Sequence, residues 1–368
     1  MSGQWSVEKA WEWYNSHPWI RGCNFMPSDC ANRIDMWQEH DFEKHFETAE
    51  REIALAESIG FNSVRIILEF DVWEAQHDGF LARLDQYLTM FYKHGITAMM
   101  VLANDCSVPR AFWKPAKFGE QHYDVGYHGG RKVSPHGGHG ELSYHLLDDP
   151  ATAERYYEFV REIITVYAHD ERVLIWNLFN EPGNNRADLS LPHMEKFFEI
   201  AREINPDQPV CADCLGDYCK EGTTVGDRAL ELSDVISFHN YNGFDNNVEW
   251  MERIRLLGRP ALDTEWLHRI YNNTVESIYP LLYLEKVGAY NWGFVLGKYQ
   301  THEPWNGIWE RMERGEADFD VTKWQHDLFR PSGRPYDPRE IRLIADYNKK
   351  ADERFANGLD VKLFGRRD

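Results

Sequence analysis

Short apolar runs alternate with amphipathic helical stretches along nearly the whole chain, and this rhythm limits the fold more than any other feature. The runs WIRGCNF (19–25), FNSVRIILEF (61–70), ITAMMVLAND (96–105), RVLIWNLFNEP (172–182), QPVCADC (208–214), DVISFHNYNG (234–243), RPALDTEW (259–266) and AYNWGF (289–294) read as eight strands. Helical patterns over 41–60, 80–94, 149–168, 191–204, 226–232, 247–257, 275–288 and 337–355 follow them in turn. Gly60 and Gly95 stand where C-caps belong, and Asp149-Pro150 where a helix starts. Strands this apolar are covered on both faces, as in a parallel sheet. Strand–helix units repeated eight times predict one (β/α)8 TIM barrel, with long βα loops after the third and eighth strands. A doubly wound sheet needs a Gly-rich phosphate turn joining an early strand to a helix. The Gly-rich stretch GGRKVSPHGGHG (129–140) makes no such connection. No linker-like segment interrupts the pattern, so residues 1–368 are expected to form a single catalytic domain.

Charge narrows the partners. With 60 acidic against 40 basic residues and a formal charge of -20, the chain repels nucleic acid and anionic membrane surfaces. It suits a neutral substrate. No window approaches the ~20 apolar residues of a membrane span. The N-terminal stretch MSGQWSVEKAWEWYNSHPW has no basic region followed by an apolar run, so it does not read as a secretory signal. A cytoplasmic protein is expected. Its six cysteines should then stay reduced. Cys211 and Cys214 have the spacing of a redox or zinc half-site, but no second C-x-x-C accompanies them, and they read as free thiols. The sequence leaves the oligomeric state open, a homo-oligomer included.

The strand ends carry the chemistry. In a barrel of this kind the C-terminal ends of the strands build the active site. The second strand holds Arg65, the third ends in Asn104 and Asp105, and the fourth ends in Asn180 and Glu181. The sixth carries His239 and Tyr241, the seventh ends in Glu265, and the eighth carries Trp292. A charge at a buried strand end is costly without a partner or a function. Taken singly, Arg65 reads equally well as a structural ion-pair partner, His239 as a core histidine and Trp292 as packing. Two glutamates at one barrel mouth point instead to glycoside hydrolysis, in which one carboxyl protonates the leaving oxygen and the other attacks the anomeric carbon or activates water. The 14 Trp fit that reading, since flat apolar rings pack on the C–H faces of pyranoses.

WNLFNEP (176–182) and ALDTEW (261–266) resemble the acid/base and nucleophile signatures of the retaining glycosidases of clan A. The ordered set Arg65, Asn180, Glu181, His239, Tyr241, Glu265 and Trp292 resembles glycoside hydrolase family 5, the cellulase and mannanase family. The resemblance covers most of the chain. It implies that Glu181 is the acid/base, with a raised pKa, and that Glu265 is the ionised nucleophile, supported by Arg65 and the Tyr241 hydroxyl. It also implies that Asn180 binds the sugar 2-hydroxyl, that His239 orients the acid or the sugar, and that Trp292 forms a sugar floor.

One departure stands out. Family members often carry a His at the end of the third strand, and here Asn104 and Asp105 stand there. Glucose is therefore not the expected sugar. The chain looks most like subfamily 18 of family 5, the intracellular β-mannosidases of gut bacteria associated with the Manβ1,4GlcNAc unit of N-glycan cores. That implies a retaining exo-β-glycosidase releasing terminal mannose from short oligosaccharides, with Asn180 and Asn104 or Asp105 reading the axial 2-hydroxyl. The alternatives are an endo-acting β-1,4-mannanase or β-1,4-glucanase and, from another class, a non-catalytic sugar-binding barrel.

The segment 106–148 contains His122, His128, His136, His139 and His145 but no helical H-x-x-x-H or comparably tight ligand cluster. It reads as a pocket wall, and no metal or cofactor is expected. In the loop after the eighth strand, Trp305 and Trp309 read either as loop anchors or as an aglycone platform.

Overall fold

A computed structural model of the chain describes residues 3–122, 128, 141–215 and 224–359. The strands among them are β1 (Arg21–Asn24), β2 (Ser63–Ile67), β3 (Thr97–Val101), β4 (Val173–Asn177), β5 (Val210–Cys211), β6 (Asp213–Leu215), β7 (Ile236–His239), β8 (Ala261–Trp266) and β9 (Gly288–Asn291). Every pairing is parallel, in the order β5-β4-β3-β2-β1-β9-β8-β7-β6. The outermost members of that order, β5 and β6, are separated by Ala212 alone. They are two halves of the predicted fifth strand. The first half pairs with β4 through Trp176↔Val210, and the second with β7 through Asp213↔Ser237. Closing a barrel staggers neighbouring strands along its axis, so one strand meets its two neighbours at different heights. The fold is the (β/α)8 barrel.

The strand pattern sorts side chains between two layers. Val64 and Ile66 of β2 and Ala98 and Met100 of β3 pack outward under the helices. Met99, Leu174, Ile175, Cys211, Val235, Leu262 and Tyr290 fill the barrel interior with Ile20 and Tyr14. Tyr14 belongs to the helix Val7–Asn15 and donates to the Lys286 carbonyl at 2.8 Å. Trp11 of the same helix donates to the Gly258 carbonyl at 2.8 Å. Both carbonyls precede strands, so this helix closes the N-terminal end of the barrel and the opposite end remains for a ligand.

The elements differ from expectation mainly at their edges. Most strands are shorter than the apolar runs, because the last residues of those runs, 102–105 after β3 and 178–182 after β4 among them, leave the ladder at the barrel mouth. Among the described residues three α-helices were not foreseen: Arg33–Trp37, Phe70–Ala75 and Asn306–Glu313. The cysteines also depart from the expectation of six free thiols. Cys23, Cys30, Cys106 and Cys211 are free, but Cys214 is disulfide-bonded. Cys211 and Cys214 do not pair with each other, because Cys211 faces the barrel interior and Cys214 the outer layer. Cys219, His136, His139 and the Gly-rich stretch 129–140 lie outside the described residues. Among the described residues no helix is long and apolar enough to cross a membrane.

Candidate active site

Past β4 the chain stays extended long enough to deliver its polar residues to the barrel mouth. The Asn180 amide N–H donates to the Ala103 carbonyl at 2.7 Å, and Asn104 and Asn180 form an isolated parallel bridge. Glu181 then turns with φ +47°, followed by Gly183 at +89°. A non-glycine residue in the left-handed region is uncommon and costs about 1–3 kcal/mol. Here the turn carries a buried carboxylate. Glu265, near the end of β8, is buried too. Two residues later Leu267 has φ +79°.

The two carboxylates are neighbours. One oxygen of Glu181, one of Glu265 and a ring nitrogen of His239 lie within 4.8 Å of one another. Each glutamate is held by its own donors. Glu265 accepts from Arg65 Nη1 at 2.9 Å and from the Tyr241 hydroxyl at 2.6 Å. Glu181 faces His239 Nδ1 at 2.7 Å through Oε1, and its Oε2 receives Asn184 Nδ2 at 2.6 Å and the Cys106 thiol at 2.8 Å. The same His239 Nδ1 lies 3.4 Å from Glu265, and Nε2 lies 3.5 Å from Asp213.

Arg65 is fully buried and ties the site together. It donates to Asn24 at 2.6 Å, to Asp213 at 2.6 Å and to Asn180 Oδ1. Asn180 is thereby fixed in orientation, its amide oxygen toward Arg65 and its Nδ2 on Asn104 Oδ1 at 2.7 Å. Asp213 also accepts from Asn177 at 2.6 Å and from Ser237. Burial alone pushes the Asp213 carboxyl up, but the charges of Arg65 and His239 hold it well below its usual range.

The glutamates titrate in opposite senses. Burial raises Glu181, but hydrogen bonds from His239, Cys106 and Asn184 bring it below its ordinary value. Burial, reinforced by the charge of Glu181, raises Glu265 against the pull of His239, Arg65 and Tyr241. Sequence reasoning expected a raised Glu181. Its reversal has one dominant cause, a histidine that Glu265 and Asp213 lift to about 10 against its own burial. A charged imidazole against Glu181 favours the carboxylate.

Most of the foreseen residues meet in one cleft of about 1180 Å³, whose lining includes Asn104, Asn180, Glu181, Tyr241, Glu265 and Trp292. Arg65 and His239 stand directly behind it. Asp105 does not belong there. It is fully buried and turned away, 3.0 Å from Arg186 and accepting from the Gly183 amide at 2.6 Å. Successive side chains on an extended segment point to opposite sides, so Asn104 and Asp105 cannot both face the cleft. Asp105 instead braces the turn that presents Glu181.

The loops contribute as well. Trp292 Nε1 donates to His128 Nε2 at 2.7 Å, and their rings stack at 5.5 Å, so His128 of the long segment walls the cleft. His122 is exposed, and His145 caps the short 3-10 helix Leu146–Asp148. Trp305 lines the cleft and packs edge-on against Tyr241 at 5.1 Å. Trp309 is not in the lining.

Sequence reasoning missed Cys106, Asn184, Asp213 and Asn24. A signal existed for Asp213. It is a carboxylate in a buried strand, the feature that marked Glu181.

The family model described as cellulase, glycosyl hydrolase family 5, matches residues 28–293, from the first βα loop to the turn after β9. The chain belongs to glycoside hydrolase family 5. It is a glycoside hydrolase of clan A. No curated protein matches it. Among solved structures, an exo-β-1,4-mannosidase from Opitutaceae bacterium strain TAV5 is similar over 91% of this chain, with 16% identity and a TM-score of 0.58. This family 5 chain spans only 60% of that protein's length. A GH5_18 protein from Streptomyces cattleya, solved with GlcNAc, has 12% identity and a TM-score of 0.58 over 92% of this chain and 80% of its own. A family 5 mannosidase from Rhizomucor miehei, solved with mannosyl-fructose, has 15% identity and a TM-score of 0.56 over 94% and 95%. At these identities the likeness is one of fold.

Proposed function

We propose that the chain, acting as one catalytic domain, is a retaining exo-β-glycosidase that releases terminal β-1,4-linked mannose from short oligosaccharides such as Manβ1,4GlcNAc. The observation that carries the mechanism is the approach of Glu181 and Glu265 within 4.8 Å. Carboxyl groups about 5–5.5 Å apart suit double displacement, whereas inversion needs about 6.5–9.5 Å to admit a water. In this reading Glu265 attacks the anomeric carbon. Arg65 and Tyr241 stabilise its negative charge and aim it. Glu181 protonates the leaving oxygen and shares that proton with His239 across their 2.7 Å contact, so the two titrate as one unit. Glycosylation removes the charge of Glu265, the largest influence lifting His239, and Glu181 then serves as base toward water.

The sugar assignment rests on Asn104 in place of the usual strand-three histidine, and on the orientation of Asn180. Its fixed amide stands beside Asn104 where a 2-hydroxyl can be read. Similar solved structures are named as mannosidases. The test is kcat/KM for aryl β-mannoside, aryl β-glucoside and Manβ1,4GlcNAc. The mannosides should lead by ~10²-fold or more, because unpaired polar groups penalise the wrong epimer. A preference for the glucoside would end the sugar assignment and leave the mechanism standing.

A second reading, an endo-acting mannanase or glucanase, is favoured by one observation. The cleft shares Arg33 and Ile67 with two further cavities of about 580 and 550 Å³. Long mannan cleaved faster than the disaccharide would select it.

A further inference from the structure

Cys106 stands where β3 ends its run into the cleft, and no part of the family resemblance predicts it. Its Sγ lies 2.8 Å from Glu181 Oε2, 3.5 Å from Asn184 Nδ2 and 3.7 Å from Asn180 Nδ2. Its own amide is fixed by Asn104 Oδ1 at 3.0 Å, so the thiol is aimed by the residue that also orients Asn180. Burial and the charges of Glu181 and Glu265 raise its pKa well above the usual thiol value. Both effects favour the neutral S–H.

We propose that Cys106 is a positioning residue for the reaction, a thiol that fixes the Glu181 carboxyl and tolerates both of its protonation states. The proposal rests on the acid/base reading of Glu181. An acid/base changes from proton donor to proton acceptor within each turnover. Its neighbours must accommodate both forms. Asn184 Nδ2 can only donate, so it disfavours a proton on the oxygen it faces, Oε2. The thiol donates its hydrogen to the ionised Oε2, and its sulfur accepts from a protonated one. In the resting site the thiol donates to Oε2, and that bond is one of the contacts that hold Glu181 below its ordinary value, so the thiol both steadies the carboxylate and lowers the proton's affinity for it. The other groups facing Glu181 are His239 from β7, Glu265 from β8 and Tyr241 beyond β7, with Arg65 from β2 acting through Glu265 and Asn180. None of them depends on Cys106 for its own contacts.

The experiment compares Cys106→Ala and Cys106→Ser with the wild type in the pH profile of kcat/KM. Substrates are an unactivated disaccharide and a dinitrophenyl glycoside. Neither variant exceeds the thiol in size, so the cleft accommodates both. Removing one donor to the carboxylate should raise the basic limb of Cys106→Ala by about 0.5–1 pH unit. Its kcat should fall on the disaccharide and change less than twofold on the activated glycoside. Cys106→Ser, which keeps a donor and an acceptor, should return the limb to within about 0.3 unit of wild type. A limb unmoved in Cys106→Ala, or moved equally in both variants, overturns the proposal. Glu181→Gln is measured in parallel. If it hydrolyses the disaccharide at the wild-type rate, the acid/base reading itself has failed. If it loses that activity while Cys106→Ala shows no shift, only the role of Cys106 has failed.

Discussion

His239 Nδ1 stands 2.7 Å from Glu181 and its other nitrogen 3.5 Å from Asp213, so a buried imidazole links the proposed acid to a carboxylate that never meets substrate. Burial lowers its pKa, but Glu265 and Asp213 together lift it to about 10. A histidine raised in the fold above its ordinary 6.5 stabilises fully below that pH and loses the contribution as pH rises through about 10.

Asp213→Asn removes one of the two charges that lift His239. The imidazole should then become neutral at lower pH, and both stability and the basic limb of activity should begin to fall earlier on the alkaline side. Arg65 also loses a partner at 2.6 Å. Breaking a buried pair costs about 3–5 kcal/mol. Denaturant unfolding at pH 7, with melting temperature followed from pH 6 to 10, would measure both effects. A variant with wild-type stability and an unchanged alkaline profile contradicts this account.

Glu265→Ala should reduce turnover by several orders of magnitude, and azide should restore a product of inverted anomeric configuration. The small anion occupies the vacated carboxylate's place and attacks the anomeric carbon from the same face. Proton NMR of the glycosyl azide reads the configuration. Substantial unassisted hydrolysis by the variant would remove Glu265 from the mechanism.

Glu181→Ala should separate substrates by leaving group. A dinitrophenolate departs with little protonation, so the glycosyl-enzyme should still form and accumulate in a burst. A sugar leaving group needs the acid, and its rate should drop by ~10²–10⁴-fold. Equal losses on both substrates argue against the acid/base role.

Much of this architecture was legible because periodicity and burial obey simple rules. The strand-to-helix rhythm marked the barrel. The polar ends of apolar runs brought Asn180, Glu181, Tyr241 and Glu265 to one cleft. What sequence could not supply was direction and partner. Asn104 and Asp105 are adjacent in the chain, and only the path of the backbone decides that the first faces the cleft while the second turns to Arg186. The pKa order of the glutamates was equally hidden. It depends on a histidine whose charge is set by Glu265 and Asp213, residues of other strands. Cys106 gave no signal because a lone cysteine after a strand has no periodic or charge signature.

The Asn104 and Asp105 pair provides the sharpest check on substrate recognition. Asn104 Oδ1 accepts from Asn180 Nδ2 at 2.7 Å and from the Cys106 amide at 3.0 Å, so it fixes the orientation of the group proposed to read the 2-hydroxyl. Asn104→Ala leaves the Asn180 amide oxygen held by Arg65 but its Nδ2 without the Asn104 partner, and removes one polar group from the cleft. One net hydrogen bond is worth about 0.5–1.5 kcal/mol, so the ratio of mannoside to glucoside kcat/KM should fall by roughly 2- to 13-fold, with little change in folding stability. Asp105→Asn should behave in the opposite way. Burial pushes that carboxyl up to about 7 even against Arg186, and Arg186 keeps Asp148 at 2.6 Å, so the fold should survive with a loss of about 1–3 kcal/mol. The turn bearing Glu181 is braced from behind by Asp105, so overall turnover should decline while the mannoside-to-glucoside ratio stays within about twofold of wild type. Measuring that ratio and the unfolding free energy on both variants distinguishes the roles. A specificity change in Asp105→Asn without one in Asn104→Ala would assign the sugar contact to the wrong neighbour in this account.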